Sequence, residues 1–239
     1  MQAVILAGGK AERLKPYSLV VPKTLMPIGQ LTILEIILRQ LSSQGFTRVT
    51  LLLSHMSDHV IHFLDQNPAL KSLLSIDLIE EHIPGGTAGG LTLIKDPEDH
   101  FLVMNGDILT SLDFADFFWF HLQQEANISV ASYPYPISIP YGVLEIDEKG
   151  YLKEIREKPV ISYPVSMGIY ACSKRVVELI RDNESLDFPT LIQRVLDRNE
   201  RIRIFSRDCL WLDVGNPDSL IEANRIFSSR MSDFLPVET

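Results

Sequence analysis

The sequence predicts a single α/β domain with a mixed, mostly parallel central sheet. Its first half alternates apolar strand-like segments with segments of helical periodicity, which is typical of parallel strands joined by right-handed helical crossovers. Its second half is richer in predicted strands. With 239 residues, 46% of them hydrophobic, the chain fits one large domain over residues 1–239.

Strands are predicted where apolar and β-branched residues run together: 3–7, 48–53, 75–80, 101–104, 127–133, 143–147, 152–156, 165–172 and 201–205. Helices are predicted over 31–41, 56–65, 113–125, 176–181, 188–198 and 217–227. Gly45 is expected to end the first helix, and Gly150 to form a hairpin turn. The aromatic side chains of residues 114–120 are interpreted as core.

Composition excludes several classes of partner. The formal net charge of −9 and the pI of about 5.1 argue against nucleic acid or an anionic membrane. Cys172 and Cys209 are far apart and in no metal-ligand spacing, as in a reducing compartment. No secretory signal or membrane-spanning segment is predicted. The expected location is the cytoplasm.

The first predicted strand leads into a glycine turn rich in positive charge. Gly8 and Gly9 follow the strand, and four cationic residues against one anionic residue give residues 1–23 a net charge of +3. Exposed backbone N–H groups and positive charge suit a polyphosphate. A solvated basic loop is the alternative, and Pro22 before Lys23 weighs against it by restricting the backbone there. The pattern is neither a Walker P-loop nor the dinucleotide fingerprint.

Two aspartates are candidate metal ligands. Asp107 follows a predicted strand within Asn105-Gly106-Asp107, and ligands of open α/β sheets bind at the carboxyl ends of strands. A carboxylate beside a polyphosphate loop suits Mg²⁺, although an aspartate bonded to its own turn is the alternative. Asp213 stands in an apolar run, where a buried carboxylate needs a partner such as a metal. Its alternative role as a helix N-cap fits Asn216 better.

Other polar residues carry weaker signals. On spacing alone, residues 141–142 and 157–159 are interpreted as plain loop residues. His55, His59 and His62 are interpreted as a solvated or half-buried helix face, because no nearby carboxylate completes a metal site.

The motifs together resemble the sugar-1-phosphate nucleotidylyltransferase family, in the family's order and over nearly the whole chain. The matching segments are residues 6–16, 22–27, 86–89, 105–107, 141–143, 157–159, 168–170 and 211–215. The resemblance implies a Rossmann-like nucleotide-diphospho-sugar transferase fold and a Mg²⁺-dependent transfer. A sugar 1-phosphate would attack the α-phosphorus of a nucleoside triphosphate. No β-helix domain of the kind some larger relatives append is expected within these residues.

The resemblance also implies roles for particular residues. Arg13 is expected to hold the departing phosphates and Lys23 the α-phosphate side, while Asp107 and Asp213 hold Mg²⁺. The nucleotide is expected to contact Leu6, Ala7, Gly8, Gly9, Gly86, Thr87, Ala88 and Gly89. The sugar phosphate is expected to contact Asn105, Gly106, Tyr141, Gly142, Glu157, Lys158 and Gly168.

Three positions depart from the family pattern. Ala11 stands where glycine is usual and would be strained if its φ is positive. Glu12 replaces a frequent threonine, and Ser166 a frequent asparagine near the sugar. The resemblance favours guanylyl transfer to a mannose- or heptose-type sugar 1-phosphate. The alternatives are uridylyl or thymidylyl transfer, or a catalytically weak regulatory protein that binds an NDP-sugar. A homo-oligomer is compatible with the sequence.

Overall fold

The computed structural model describes residues 1–82 and 85–235. The strands are β1 (Gln2–Ala7), β2 (Pro27–Ile28), β3 (Leu31–Thr32), β4 (Arg48–Leu53), β5 (Ser75–Glu80), β6 (His100–Asn105), β7 (Ile108–Thr110), β8 (Ile128–Ser138), β9 (Gly142–Ile146), β10 (Leu152–Glu157), β11 (Val160–Ser173), β12 (Ile202–Ser206) and β13 (Trp211–Asp213). The α-helices are α1 (Ile33–Ser43), α2 (Ser57–Gln66), α3 (Pro68–Lys71), α4 (Gly86–Gly89), α5 (Phe114–Gln123), α6 (Phe188–Asp197) and α7 (Pro217–Ser229).

Seven strands form the central sheet in the order β12-β8-β11-β6-β1-β4-β5. Four of its pairings are parallel, and β11 runs antiparallel to both of its neighbours. The predicted mixed, mostly parallel sheet of a single α/β domain is therefore confirmed.

Helices cover both faces of this sheet, as predicted. Along β1, Ala3 and Ile5 belong to the apolar core that includes residues of α1, α2, α5 and α7. Val4, between them, points to the opposite core, which includes residues of α6. Because both faces of β1 are buried, its sequence is a continuous apolar run rather than an alternating one.

The first long helix shows how local signals set an element's start. The predicted helix over 31–41 begins at Ile33, because the Thr32 hydroxyl accepts a hydrogen bond from the backbone N–H of Glu35 at 3.1 Å and so caps the helix. Its apolar side chains at helical spacing, among them Leu34, Ile37 and Leu41, are fully or almost fully buried. The periodicity therefore predicted the buried face correctly.

Two strands run well beyond their predicted bounds. Strands β8 and β11 contain 11 and 14 residues, and their outer halves pair with each other from Ser132–Ser166 to Ser138–Val160. Proline is uncommon inside a strand, because it has no N–H to donate to a neighbouring strand. In the structure Pro134 lies opposite Pro164, so these two residues, neither of which has an N–H to donate, face each other.

Two local predictions need correction. Residues predicted as a helix over 176–181 form a 3-10 helix, Lys174–Leu179, because the short segment contains the β-branched pair Val176 and Val177, which lowers helix propensity. The aromatic stripe is core at Phe114, Phe117 and Phe118, but Trp119 is 56% exposed, because it lies on the outer face of α5.

Helix length bears on the membrane prediction. Among the helices of residues 1–82 and 85–235, none has the length and apolar character needed to cross a bilayer.

Two histidines, one of them buried, are in contact at the amino end of β6. His121 is buried; its Nε2 lies 3.0 Å from Nδ1 of His100, and its Nδ1 lies 2.9 Å from the hydroxyl of Ser129. Burial, reinforced by the neighbouring His100, lowers the pKa of His121 to about 4 from its usual 6.5. The folded protein therefore holds this ring neutral at neutral pH.

We expect the free energy of unfolding to fall as the pH drops from about 6.5 towards 4. Between these pH values His121 is protonated in the unfolded chain but not in the folded chain, so protonation favours the unfolded state. The free energy of unfolding is therefore about 2 kcal/mol lower near pH 5 than above pH 6.5. Urea unfolding across this range measures the slope. His121→Gln should flatten it, whereas His59→Gln, at an exposed position, should not. Equal slopes in the wild type and His121→Gln would contradict this assignment.

Candidate functional site

A cleft of about 420 Å³ opens at the carboxyl edge of four adjacent strands, β6, β1, β4 and β5. Parallel strands end at a common edge, so the residues that follow them meet there. The lining residues are Leu6, Ala7, Gly8, Gly9, Lys10, Lys23, Thr24, Leu52, Ser54, Glu81, Gly85, Gly86, Thr87, Asn105 and Asp107. Nine predicted site residues are thereby brought together: Leu6, Ala7, Gly8, Gly9, Lys23, Gly86, Thr87, Asn105 and Asp107.

The two glycines after β1 serve different purposes. A β-carbon on Gly8 would lie 2.9 Å from Cβ of Ser54, so this position must lack a side chain for β1 and β4 to pack. A β-carbon on Gly9 would meet no atom within 4 Å. The open face of Gly9 leaves room for a ligand to approach the backbone closely.

The left-handed residue of this turn is Ala11. It has φ 49° and ψ 44° and precedes the 3-10 helix Glu12–Leu14. Alanine was expected to be strained at this position if its φ is positive, and the φ is positive. An L-residue with a β-carbon is disfavoured in this left-handed conformation.

Ala11→Gly is expected to raise the free energy of unfolding by about 0.5–1 kcal/mol, because glycine adopts positive φ without steric cost. Urea unfolding of the purified protein measures the change. The matched control is Ala69→Gly, at an exposed position of helix α3, which should lower the free energy of unfolding by about 1 kcal/mol. A destabilised Ala11→Gly variant would show that the left-handed backbone carries no strain.

Glu12 pairs with a lysine of its own loop. Its carboxylate lies 2.5 Å from Nζ of Lys15, and both side chains are more than half exposed. The hydrogen bond with Lys15 lowers the pKa of Glu12. The acid therefore neutralises a loop cation, and among the described residues it is not part of the cleft lining.

Lys23 lies between the two candidate metal ligands. It begins the 3-10 helix Lys23–Leu25 after the extended Pro22, and its Nζ contacts Oδ2 of Asp107 and lies 3.6 Å from Oδ1 of Asp213. Burial lowers the pKa of Lys23, Asp213 raises it and Arg13 lowers it further. The lysine is thus not a free loop cation but the centre of a carboxylate–ammonium–carboxylate group.

Strand pairing explains how two aspartates 106 positions apart in the chain meet. Asp213 lies opposite Ile108 in the antiparallel β7–β13 pair, and the N–H of Val214 donates to the carbonyl oxygen of Asp107 at 2.9 Å. The side chain of Asp213 is 48% exposed, so the interpretation of Asp213 as a buried carboxylate was wrong. Asn216 caps α7, as predicted.

The donor set at this point fits Mg²⁺. Oδ1 of Asp107 is buried and has no hydrogen-bond partner in the described part of the chain, although an unpaired buried oxygen is costly. No cluster of three or more potential ligands occurs within residues 1–82 and 85–235. Mg²⁺ commonly uses only one or two protein carboxylates and completes its shell with phosphate and water. Two aspartates therefore suffice for an ion that arrives with a phosphorylated ligand.

Arg13 lies near this charged group but outside the cleft lining. Its side chain is exposed, and its Nη2 lies 3.2 Å from the place a β-carbon on Gly215 would occupy. A guanidinium at that position is available to a ligand that extends out of the cleft past Lys23.

The backbone of the glycine-rich loop is largely committed to the fold. The N–H groups of Ala88 and Gly89 both donate to the carbonyl oxygen of Leu186, at 2.8 and 3.1 Å. Ala88 and Gly89 are also buried, so these two N–H groups do not face a ligand. The sequence predicts this glycine-rich loop over residues 84–90, of which Pro84 lies outside the described residues.

Thr87 supports the neighbouring helix as well as lining the cleft. Its hydroxyl accepts a hydrogen bond from the backbone N–H of Phe188 at 2.9 Å, at the first residue of α6. Gly86 also lines the cleft, so the ligand-facing part of the predicted Gly86–Gly89 set is its first two residues.

Asn105 and Gly168 are neighbours, as their common predicted role requires. Gly168 has φ +72°, and a β-carbon there would lie 2.5 Å from Nδ2 of Asn105. Gly106 is buried, and a β-carbon on it would lie 2.5 Å from Cγ2 of Thr24. Gly106 therefore leaves room for Thr24 rather than directly for a ligand.

The remaining predicted sugar-phosphate residues lie on a separate two-stranded sheet formed by β9 and β10. Gly142 is opposite Glu157, and the N–H of Lys158 donates to the carbonyl oxygen of Tyr141 at 3.2 Å. Tyr141 is 74% exposed. None of these four is among the described residues that line the cleft.

Sequence reasoning missed several lining residues, including Ser54 and Glu81. Each directly follows a correctly predicted strand, β4 or β5. The rule that pointed to Gly8 and Asp107 would have found both, because all four strands end at the same edge. The predicted solvated face is confirmed in that His55, His59 and His62 are all exposed, but His55 lies in the turn before α2 rather than on the helix.

The fold and cleft define an α/β protein with a candidate ligand-binding cleft at the carboxyl edge of a mixed sheet. The chain belongs to the nucleotidyl transferase family, whose model matches residues 2–230. It is 28% identical over 248 residues to a UTP–glucose-1-phosphate uridylyltransferase of Synechocystis, covering 96% of this chain and 64% of that protein. It is 30% identical over 230 residues to a putative mannose-1-phosphate guanyltransferase of Sulfolobus acidocaldarius, covering 94% of this chain and 62% of that one. The chain thus spans less than two thirds of the length of these two relatives.

A solved structure extends the comparison. The crystal structure of HddC from Yersinia pseudotuberculosis superposes with a TM-score of 0.74 at 26% identity, covering 95% of this chain and 99% of that one. The agreement in fold therefore covers nearly the whole of both chains.

Proposed function

We propose that this chain catalyses the transfer of a nucleotidyl group from a nucleoside triphosphate to a sugar 1-phosphate. The single observation that carries the proposal is the cleft at the carboxyl edge of β6, β1, β4 and β5, with Lys23 between Asp107 and Asp213 at one end. Membership of the nucleotidyl transferase family supports it. Both relatives named above carry names of sugar-phosphate nucleotidyltransferases.

The proposed reaction is a direct displacement at phosphorus. A phosphate oxygen of the sugar 1-phosphate bonds to the α-phosphorus, the bond from that phosphorus to the oxygen bridging the β-phosphorus breaks, and pyrophosphate leaves with that oxygen. Such a transfer needs in-line positioning and neutralised charge rather than covalent help. Lys23 contributes the charge beside the α-phosphate, and Arg13, at the exposed rim, holds the departing phosphates.

Asp107 and Asp213 are the residues proposed to hold Mg²⁺, which when bound neutralises phosphate charge. Lys23 Nζ contacts Oδ2 of Asp107 and leaves Oδ1 without a partner in the described part of the chain, so Oδ1 would be available to the ion while the ammonium turns towards the phosphate. The same lysine can therefore balance the two carboxylates without substrate and the α-phosphate with it.

The two ends of the cleft suggest how the substrates divide it. Backbone of the Gly8–Gly9 turn and of Gly86 forms one wall, against which a nucleotide can lie closely. Asn105, with Gly168 beside it, is proposed to contact the sugar phosphate. The remaining proposed sugar-phosphate contacts are Tyr141, Gly142, Glu157 and Lys158, which lie together at one end of the β9–β10 hairpin and outside the described lining of the cleft.

The finer specificity that we propose is guanylyl transfer to a mannose- or heptose-type sugar 1-phosphate, with uridylyl or thymidylyl transfer as the alternative. The resemblance of the Gly86–Gly89 loop to the guanylyltransferase branch supports the first. The reaction is proposed to take place in the cytoplasm, by the domain of residues 1–239.

The left-handed Ala11 favours a second candidate, a weakly catalytic protein that binds an NDP-sugar as a regulator, because alanine is strained at a positive φ and can shift the loop proposed to position the phosphates. The retained Lys23, Asp107 and Asp213 weigh against it, since binding alone has no need of the carboxylate pair.

The test is pyrophosphate release with Mg²⁺ over a grid of nucleoside triphosphates and sugar 1-phosphates. A strong signal in one combination is expected and would identify both substrates. Absence of release from every combination, together with thermal stabilisation by NDP-sugars, would favour the regulatory protein instead.

A further inference from the structure

The β9–β10 hairpin carries an apolar face that stays largely exposed in the described part of the chain. Its four large aliphatic side chains form two cross-strand pairs, Leu144 with Ile155 and Ile146 with Leu152. Each of the four residues is between 57% and 65% exposed. Residues two apart in a strand point to the same side of the sheet, and so do residues directly opposite each other. The four side chains therefore form one continuous surface, the apolar face of the hairpin.

The other side of the hairpin is charged. Glu145, between Leu144 and Ile146, forms an ion pair with Arg156. Arg156 lies opposite Val143, on the same side as Glu145. A strand pair with one charged and one apolar side normally packs the apolar side against a core, and a two-stranded hairpin alone is only marginally stable in water. The exposed apolar face is therefore the side of the hairpin that a partner would cover.

The charge of the hairpin favours a second copy of this chain as the partner. Residues 142–158 contain five acidic and four basic side chains, a net charge of −1, within a chain of net charge −9. A nucleic acid or an anionic membrane needs a basic surface, and a strongly charged protein needs a surface of the opposite sign. A nearly neutral surface with charges of both signs can meet an identical surface without net repulsion.

The size and symmetry of the apolar face also fit two identical chains. At roughly 100 Å² for each exposed aliphatic side chain, the face presents about 400 Å² of apolar surface. Because protein interfaces are about 60% apolar, this corresponds to about 650 Å² buried on each copy, within the range of stable complexes. Two antiparallel strands are related by a local two-fold axis perpendicular to their sheet, so the same four side chains can meet their own copies face to face.

We propose that this chain forms a two-fold symmetric dimer in which the apolar faces of two β9–β10 hairpins pack against each other. The four aliphatic side chains form the centre of the interface, and the charged side chains of the hairpins form its rim. These four residues lie outside the described lining of the cleft. The dimer therefore forms without a nucleotide, and the proposal does not depend on the proposed reaction.

Analytical ultracentrifugation of the purified full chain, without ligands, tests this proposal. The wild type should sediment as a species of twice the 27.0 kDa chain mass, with a dissociation constant in the micromolar range or below. Ile146→Glu should weaken the dimer by at least about 100-fold, because a two-fold interface buries the new charge twice. Melting curves establish that the variant is folded, as expected for a change at an exposed side chain.

Three further variants separate this interface from a general effect of surface charge. Ile221→Glu makes the same change on α7, at a residue that is 68% exposed, and should leave the dimer intact. Leu152→Glu, at the residue opposite Ile146, should dissociate the dimer as Ile146→Glu does. Ile146→Leu keeps the face apolar and should retain the dimer.

Three results would overturn the proposal. The first is a wild type that remains monomeric at concentrations up to about 100 μM, well above the dissociation constant expected for an interface of this size. The second is a dimer that survives both charged substitutions in the hairpin. The third is a dimer that Ile221→Glu disrupts as strongly as Ile146→Glu, because the interface would then lie elsewhere or respond to charge alone.

Discussion

Asp107→Asn is expected to lower kcat/KM for nucleotidyl transfer by at least about 10³-fold. The substitution removes one of two carboxylates proposed to hold Mg²⁺ and also removes the charge that Lys23 contacts. The loss of a single preorganised electrostatic contact at a reacting phosphate or carbonyl typically costs 10²–10³-fold, and here two contacts depend on one side chain. Initial rates of pyrophosphate release, measured over a range of Mg²⁺ concentrations, give the comparison.

The matched control lies at the opposite end of the same strand. Asp99 directly precedes β6, is 78% exposed and pairs with Lys174, so Asp99→Asn makes the same chemical change far from the cleft. It should retain the wild-type rate. A variant Asp107→Asn that is folded and turns over at the wild-type rate, with the same Mg²⁺ dependence, would show that this carboxylate is not a metal ligand.

Gly86→Ala is expected to lower the free energy of unfolding by about 3 kcal/mol or more. Gly86 has φ +70°, and a β-carbon there would lie 2.5 Å from the carbonyl oxygen of Leu186 and 2.8 Å from its carbonyl carbon. That carbonyl oxygen also accepts the hydrogen bonds from Ala88 and Gly89. To relieve the collision, the carbonyl group of Leu186 must move, and the hydrogen bonds that hold the loop are then weakened. Urea unfolding measures the resulting fall in the free energy of unfolding.

Gly150→Ala separates the two causes of that loss. Gly150 also has a positive φ, +86°, but a β-carbon on it would meet nothing within 4 Å. Gly150→Ala should therefore lower the free energy of unfolding only by the cost of a left-handed backbone at alanine, about 1–2 kcal/mol. Equal losses in the two variants would show that the contact with Leu186 is unimportant. Nucleotide affinity should fall in Gly86→Ala and not in Gly150→Ala.

The position of the cleft could be predicted from the sequence because it depends on local patterns. The apolar run of β1 and the glycines after it identify a buried strand and its carboxyl end. Asp107 follows another such strand, so one general rule brings the Gly8 turn and Asp107 to the same edge. The same rule could have identified Ser54 and Glu81 as cleft residues, because each directly follows a strand of this edge.

The contacts that give the cleft its chemistry could not be predicted in this way, because they join residues far apart in the chain. The position of Lys23 depends on Asp213, which β13 brings beside Asp107. The commitment of the Ala88 and Gly89 N–H groups to Leu186 depends on a partner about a hundred residues later. Neither spacing nor composition contains this information.

The most direct test of the account uses a nucleoside triphosphate labelled with radioactive phosphorus at the α-position. Incubated with a sugar 1-phosphate, Mg²⁺ and this protein, the label should move into an NDP-sugar, with one pyrophosphate released for each molecule formed. Chelation of Mg²⁺ should stop the transfer. Label recovered only in the triphosphate, or in a nucleoside monophosphate formed by hydrolysis, under conditions in which the nucleotide binds, would contradict the proposed transfer.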